Sequence, residues 1–255
     1  MRIEILGAHM TEIAHIRPSA LLIDDVLALD AGSLCSSLSL SAQQKLKAIL
    51  LTHHHYDHVR DIPVLAMNLS PERSIEIYST ATTFEVLSTH LLDGAIYPNF
   101  LRWPDHNPAV KFTTIAPYQP TDIAGYSVLA VPVPHTVPTI GFQVASSEGK
   151  KAFYTGDTGS GLSACWQHVS PDLLITELSM PQKREEWART TAHLTPQLLK
   201  AELVQFHKLK GYFPPTILIH INPSWESEIE QEVAEVAQEL GASITLGREG
   251  MKINI

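Results

Sequence analysis

The chain has 255 residues, which is long enough to bury a sizeable core within a single domain. Hydrophobic residues make up 44% of it and charged residues 18%, which is an ordinary globular composition. The formal net charge of −9 excludes a broad cationic surface of the kind that neutralises a long nucleic acid backbone.

Periodicity and turn residues predict an alternation of strands and helices along the whole chain. The predicted strands, in chain order, are 2–6, two within 20–30, 48–51, 75–78, 128–133, 140–145, 152–155, 173–176, 215–219, 243–246 and 251–255. The predicted helices are 41–47, one that begins at 62, 82–92, 196–210 and 225–240. Asp61 and Thr195 are the predicted N-caps of the helices that follow them.

Several global features follow from what the chain does not contain. No apolar run reaches the length of a signal peptide or a membrane-spanning helix. Cys35 and Cys165 lie far apart in no paired motif, so we predict free thiols and a cytoplasmic protein. No repeat or linker is visible, so residues 1–255 are predicted to form one domain.

One loop combines aromatic residues with prolines. Residues 93–110 lack clean periodicity, and we predict a stiff loop near the mouth of the site. Tyr97, Phe100 and Trp103 either stack on a substrate ring or pin this loop to the core, and the two alternatives are equally open.

Metal-ligand residues follow directly after the predicted strand at 48–51. The segment reads His53-His54-His55-Tyr56-Asp57-His58. Residues two apart on an extended segment point the same way, so His53 and His55 can converge on one cation. Asp57 and His58 then face a neighbouring point, and imidazole with carboxylate suits zinc, manganese or iron. This spacing predicts two metal ions side by side, whereas His54 should point away and is interpreted as structural.

Three later residues complete the candidate ligand set. His135 is bracketed by prolines, which hold it on a rigid loop, and His220 ends the predicted strand at 215–219. Asp157 lies in the turn Gly156-Asp157-Thr158-Gly159, where glycine permits close approach of other chain segments. A carboxylate has two oxygens, so Asp157 is the natural bridging ligand.

A second pair of polar residues is predicted to act beside the metals. Glu177 ends the strand at 173–176, and His193 directly precedes the helix that begins at Pro196. We predict that Glu177 orients His193 and that His193 donates a proton to the leaving group. The alternative is that His193 only binds phosphate through a hydrogen bond.

These motifs resemble the metallo-β-lactamase superfamily, and in particular its class II cyclic-nucleotide phosphodiesterases. The specific similarities are Tyr97-Pro98-Asn99, Glu177-Leu178-Ser179 followed by His193-Leu194-Thr195-Pro196, and His220-Ile221-Asn222-Pro223. Ribonuclease Z is similar in the same places. The resemblance implies an α/β fold, a four-layer αβ/βα sandwich with metals between the edges of two sheets. It also implies that His53, His55 and His135 hold one metal, that Asp57, His58 and His220 hold the other, and that Asp157 bridges them.

The resemblance implies a hydrolase that cleaves a small phosphodiester, a cyclic nucleotide first of all. A hydroxide shared by the two metals would attack phosphorus, with zinc the expected metal and His193, Glu177 and Asp57 the catalytic set. The alternatives are a ribonuclease Z-like nuclease, a lactone or thioester hydrolase, and a non-catalytic metal sensor. Asp61 stands where many members carry glycine, and no basic arm for tRNA is present. We therefore predict neither tRNA nor a membrane as partner, and leave a homodimer open.

Overall fold

A computed structural model describes all 255 residues, in which fourteen strands and nine α-helices alternate. The strands are β1 (Arg2–Gly7), β2 (Ala20–Ile23), β3 (Leu27–Leu29), β4 (Ala48–Leu50), β5 (Ile75–Ser79), β6 (Val110–Thr114), β7 (Thr121–Ile123), β8 (Tyr126–Val133), β9 (Thr139–Ala145), β10 (Lys151–Tyr154), β11 (Leu173–Glu177), β12 (Thr216–Ile219), β13 (Ile244–Leu246) and β14 (Lys252–Asn254). The helices are α1 (Leu34–Ser37), α2 (Leu40–Gln43), α3 (Tyr56–Val59), α4 (Ile62–Leu69), α5 (Ala81–Val86), α6 (Ser163–His168), α7 (Glu185–Thr191), α8 (Pro196–Lys210) and α9 (Glu226–Leu240). A π-helical turn (Leu87–Leu91) extends α5, and a 3-10 turn (Gln182–Arg184) precedes α7.

The strands form two mixed sheets of seven strands each. The order is β14-β1-β2-β3-β4-β5-β6 in the first sheet and β13-β12-β11-β10-β9-β8-β7 in the second. Strands β3 to β6 run parallel to their neighbours, as do β10 to β13. The remaining neighbours pair antiparallel, and β2 and β3 form a short hairpin at the predicted turn Asp24-Asp25, where both residues have positive φ.

Three apolar layers hold the two sheets and their helices together. Side chains such as Ile5, Leu50 and Phe142 pack between the two sheets. The outer face of the first sheet packs on α1 and α4, and that of the second on α6, α8 and α9. Sheets that are apolar on both faces need cover on both sides, which produces four layers. The predicted αβ/βα sandwich is confirmed.

Strand direction places the candidate site at one end of the sandwich. The carboxyl ends of the parallel neighbours β3 and β4 deliver Asp30 and His53 in the first sheet. In the second sheet β10, β11 and β12 deliver Asp157, Glu177 and His220. Because parallel strands end at the same edge, residues far apart in sequence come together there.

Several local predictions were wrong in their bounds or missed an element. The helix predicted at 41–47 spans only Leu40–Gln43, and α1, α3, β6, β7, α6 and α7 were not predicted. Strands β6 and β7 lie at sheet edges, so few of their side chains are buried. Helix α7 buries only Ala188, so it lacks the apolar stripe that periodicity detects.

Asp61 and Thr195 hold the predicted N-cap positions of α4 and α8, but neither side chain makes the capping hydrogen bond. Asp61 has helical backbone angles and makes no cap; its carboxylate accepts the backbone N–H of Cys35 at 2.7 Å. Thr195 holds the cap position of α8, but its hydroxyl donates to Gln182 Oε1 at 2.9 Å. The same amide oxygen accepts the backbone N–H of Gln197, so Gln182 supplies the cap across the loop.

The aromatic loop at 93–110 packs on the first sheet's outer core. Phe100 is completely buried there, Tyr97 packs against the same cluster, and Trp103 remains partly exposed. Phe100 and Tyr97 therefore pin the loop to the core, as in the second of the two alternatives.

Both cysteines are free thiols, as predicted. No helix of this structure is both long enough and apolar enough to cross a membrane.

Candidate metal centre

The histidine-rich segment turns from an extended stretch into a helix at His55. Thr52, His53 and His54 continue β4 without helical structure, and His55 has extended backbone angles at the N-cap position of α3. Asp57 and His58 then lie in the first turn of that helix. This change of direction divides the motif into two faces, as the spacing predicted.

The first face forms a group of four side chains, His53, His55, His135 and Asp157. His135 Nε2 lies 3.3 Å from His55 Nδ1 and 3.8 Å from Asp157 Oδ2. His53 Nε2 lies 3.7 Å from the same carboxylate oxygen. Nitrogen and oxygen atoms at these separations can share one cation.

The second face forms a neighbouring group, Asp57, His58, Asp157 and His220. His220 Nε2 lies 3.1 Å from Asp57 Oδ2 and 3.3 Å from Asp157 Oδ2. His58 Nε2 lies 3.2 Å from Asp157 Oδ1. Asp157 belongs to both groups, which is the arrangement expected of a bridging carboxylate, so all seven predicted ligands are brought together.

A close chain approach holds Asp157 in place. Gly156 has a φ of +64°, and a Cβ at this position would lie 2.6 Å from the Cβ of Thr52. Only glycine therefore lets the β10 turn approach the strand that carries His53.

Buried acceptors in the first sheet fix the orientation of two histidines. His58 Nδ1–H donates to Asp30 Oδ2 at 2.7 Å. His53 Nδ1 lies 2.9 Å from Thr52 Oγ1, whose hydroxyl in turn donates to Asp30. Tyr154 also donates its hydroxyl to Asp30 Oδ2 at 2.8 Å. These contacts place the ring protons on Nδ1 and leave each Nε2 lone pair free for a cation.

Residues near the second sheet orient His135 and His220 in the same way. His135 Nδ1–H donates to the backbone carbonyl of Ala192 at 3.0 Å. His220 Nδ1 lies 2.8 Å from Ser179 Oγ, whose hydroxyl donates to Glu177 Oε2 at 2.8 Å. His220 has a φ of +60°, a conformation that is rare outside glycine and is often found at functional sites.

The unsatisfied atoms at the centre fit a divalent cation. His53 Nε2, His58 Nε2 and Asp157 Oδ1 are buried and have no hydrogen-bond partner. A buried polar atom without a partner costs about 1–3 kcal/mol, so three such atoms that converge on one place indicate a ligand. The donor set of imidazole and carboxylate suits zinc, manganese or iron.

Electrostatics keeps most of these histidines in the neutral form that binds metals. Burial lowers the pKa of His53 well below its usual range and that of His55 to about 4. Burial alone would also lower the pKa of His58, but Asp157 and the other two nearby carboxylates raise it above its usual value. A proton and a cation compete for this position, because each supplies positive charge that offsets the carboxylates.

Glu177 and His193 form the second predicted pair. His193 Nδ1–H donates to Glu177 Oε1 at 3.0 Å, and the backbone N–H of Leu194 donates to the same oxygen at 3.1 Å. Burial would lower the pKa of His193, but the charge and hydrogen bond of Glu177 raise it to about 9. Because Nδ1 is occupied, Nε2 is the nitrogen that can act on a bound molecule.

A cavity of about 480 Å³ opens onto the metal groups. Its lining includes His55, Asp57, Asp157, His193 and His220. The remaining lining residues come from the loop after β1 and from α3 with the residue after it, and none comes from 93–110. The aromatic loop therefore does not form the mouth of this cavity, contrary to the prediction.

Sequence reasoning missed four residues that support or line the centre. Asp30, Thr52 and Ser179 hold histidines, and Arg60 lines the cavity. The sequence did contain one signal for Asp30. It directly follows β3, and the histidine motif directly follows the neighbouring strand β4. Ser179 stands in the Glu177-Leu178-Ser179 motif, which carried the resemblance but gave the serine no role, and Thr52 left no signal because threonine at strand ends is common.

The sequence model of the β-lactamase superfamily domain matches residues 21–221, which is most of the chain. The chain belongs to the metallo-β-lactamase superfamily. This is a superfamily of metal-dependent hydrolases, and the seven clustered side chains are a candidate metal centre. No curated protein matches the chain by sequence.

Solved structures of the metallo-β-lactamase fold superpose over nearly the whole chain. Yeast PDE1 has a TM-score of 0.82 at 16% identity, covering 100% of this chain and 99% of its own. YhfI from Bacillus subtilis has a TM-score of 0.76 at 18% identity, covering 99% of each chain. The short form of human tRNase Z has a TM-score of 0.69 at 19% identity, covering 100% of this chain and 99% of its own. Identities this low establish a shared fold and leave the substrate to the chemistry of the site.

Proposed function

We propose that this metal-dependent hydrolase cleaves a small phosphodiester, with a 3′,5′-cyclic nucleotide as the first candidate. The observation that carries the proposal is the Glu177–His193 pair, which lies beside the metal groups and lines the same cavity. A phosphodiester with an alkoxide leaving group needs a proton donor, and a carboxylate-oriented imidazole is such a donor.

The seven side chains would hold two divalent ions, with zinc as our first candidate and manganese or iron as alternatives. Bound ions would lower the pKa of a coordinated water to about 7 and offset charge on phosphoryl oxygens. Asp157 would fix the spacing of the two positions, and Asp57 would bind on the side that faces the cavity.

His193 would complete the reaction through its Nε2. Glu177 holds the Nδ1 proton, so the ring cannot turn away from the cavity without losing that hydrogen bond. A proton on Nε2 would pass to the leaving oxygen, which contributes a factor of about 10²–10⁴ to the rate. Both the raised pKa of His193 and its place in the lining support this role.

The cavity's size and the protein's charge support a small substrate. A volume of about 480 Å³ falls within the range of small-molecule sites, about 300–1,000 Å³. The net charge of −9 counts against tRNA as a partner. We also propose a cytoplasmic location, where free thiols such as Cys35 and Cys165 stay reduced. That residues 1–255 form one domain stays a prediction, and a homodimer stays an open possibility.

A hydrolysis screen of the metal-loaded protein tests this proposal. The substrates are bis(p-nitrophenyl) phosphate, 2′,3′- and 3′,5′-cyclic nucleotides, pre-tRNA and a lactone. We expect turnover of the first phosphodiester and of a cyclic nucleotide, and loss of both in Asp157→Ala. Turnover of pre-tRNA alone would replace the proposal with a ribonuclease Z-like activity. Turnover of the lactone alone would replace it with a lactonase.

A further inference from the structure

Arg60 occupies a distinctive position beside the metal groups. It follows Asp57 by three residues, so the two side chains leave the same face of the α3 turn. Both residues line the cavity, and Arg60 is the only lysine or arginine that does so. The site therefore contains one permanent cationic side chain.

The guanidinium of Arg60 is anchored at its base by a buried carboxylate. Arg60 Nε–H donates to Asp61 Oδ1 at 3.3 Å, and Asp61 is only 6% exposed. The backbone N–H of Cys35 donates to the other oxygen of Asp61 at 2.7 Å, which holds the carboxylate in place. Asp61 thus serves to position Arg60.

The outer end of the guanidinium has a partner of a different kind. Arg60 Nη1–H donates to Glu12 Oε2, whereas Nη2 makes no hydrogen bond. Glu12 is 44% exposed and lies in the exposed loop at 11–15, and it lines the cavity together with Arg60. An exposed ion pair of this type contributes little to stability, so Glu12 can be replaced at low cost.

We propose that Arg60 binds a phosphoryl oxygen of the substrate and that Glu12 is the counter-ion that this oxygen replaces. The inference rests on the proposed function and deepens it, because it assigns the site to an anionic substrate rather than a neutral lactone or thioester. A phosphate presents two oxygens to the free edge of the guanidinium, Nη1 and Nη2, while Asp61 keeps Nε. Because Glu12 competes for Arg60, an anion that binds weakly does not displace it. A neutral molecule gains no attraction from Arg60.

The test measures binding of inorganic phosphate to the metal-loaded protein by calorimetry. Arg60→Gln should weaken phosphate binding about tenfold, as expected for the loss of a charge-assisted hydrogen bond. Glu12→Gln should strengthen it about threefold, because a competing carboxylate is gone. If the ion pair only stabilised the loop, both substitutions would act in the same direction. Weaker or unchanged binding in Glu12→Gln overturns the inference, and this exposed substitution leaves the core intact.

Arg248 and Glu230 provide the matched control. They form an exposed ion pair of 3.0 Å and line no part of the site cavity. Arg248→Gln and Glu230→Gln should leave phosphate binding unchanged. Opposite effects at Arg60 and Glu12 in a protein that hydrolyses no phosphodiester would retain the anion site and reject the phosphodiesterase. Turnover of a phosphodiester with no effect of Glu12→Gln on phosphate binding would retain the phosphodiesterase and reject the role of Glu12 and Arg60.

Discussion

The rings of His193 and His220 stack, with centroids 5.3 Å apart and planes inclined by 20°. Both are connected to one carboxylate, since Glu177 accepts from His193 directly and from His220 through Ser179. The predicted proton donor and a predicted metal ligand therefore share one support.

We predict that His193→Ala separates chemistry from metal binding. The variant should keep two metals per chain, measured by elemental analysis, because the seven other side chains remain. Its rate on a cyclic nucleotide should fall by a factor of about 10²–10⁴, since the alkoxide needs a proton. The deficit should be much smaller for bis(p-nitrophenyl) phosphate, whose leaving group departs unassisted. An equal deficit on both substrates would mean that His193 positions phosphate instead.

Glu177→Gln should reproduce the substrate preference of His193→Ala more mildly. The amide still accepts from His193, but it lacks the charge that raises the imidazole pKa. Ratios of kcat/KM for the cyclic nucleotide over the p-nitrophenyl ester should fall by about 10-fold. A loss that is the same for both substrates would contradict a role through His193.

We predict that Asp157→Ala loses both metals together, because its carboxylate belongs to both ligand groups. His135→Ala should chiefly weaken one metal, since His135 belongs to the first group only. Stepwise titration with zinc, followed by elemental analysis, distinguishes one site from two. Equal losses in the two variants would remove the bridging role from Asp157.

Asp30→Asn should weaken metal binding although Asp30 lies outside both ligand groups. Asp30 accepts at both oxygens, from Thr52 at Oδ1 and from His58 and Tyr154 at Oδ2, whereas an uncharged amide has only one oxygen and must present its NH₂ group to one of these donor sets. Such support is worth about 10–100-fold in metal affinity. Asp24→Asn is the matched control and should leave metal affinity unchanged. Asp24 accepts a hydrogen bond from the Tyr126 hydroxyl, as Asp30 does from Tyr154, but it lies at the β2–β3 turn and belongs to neither ligand group. Competition with a chelator measures the affinity. Unchanged affinity in Asp30→Asn would show that His58 needs no carboxylate partner.

His9 is expected to make stability depend on pH. Burial would lower its pKa, but the hydrogen bond and charge of Glu249, together with Glu226, raise it. A raised folded pKa means that the stabilisation is fully present below the unfolded pKa, about 6.5, and is lost as pH rises through the folded value. Urea unfolding in the presence of a chelator should show that His9→Gln destabilises the protein by about 1–3 kcal/mol at pH 6. The difference should shrink at pH 9, and a constant difference would contradict the charged pair.

Local sequence determined the histidine motif, the amphipathic helices α8 and α9, and the placement of ligands at strand ends. Each of these depends on spacing between residues close in the chain, which fixes the direction of a side chain relative to its neighbours. His53, His55, Asp57 and His58 could therefore be placed on two faces without knowledge of the fold.

The tertiary structure alone decided which distant residues meet. Asp30 reaches His58 because β3 pairs with β4, and Ser179 links Glu177 to His220 because β11 pairs with β12. Periodicity tells which face of a strand is buried but not which strand lies beside it. The cap made by Gln182 and the contact of Arg60 with Glu12 were hidden for the same reason, since each joins two segments whose own patterns do not show that they lie side by side.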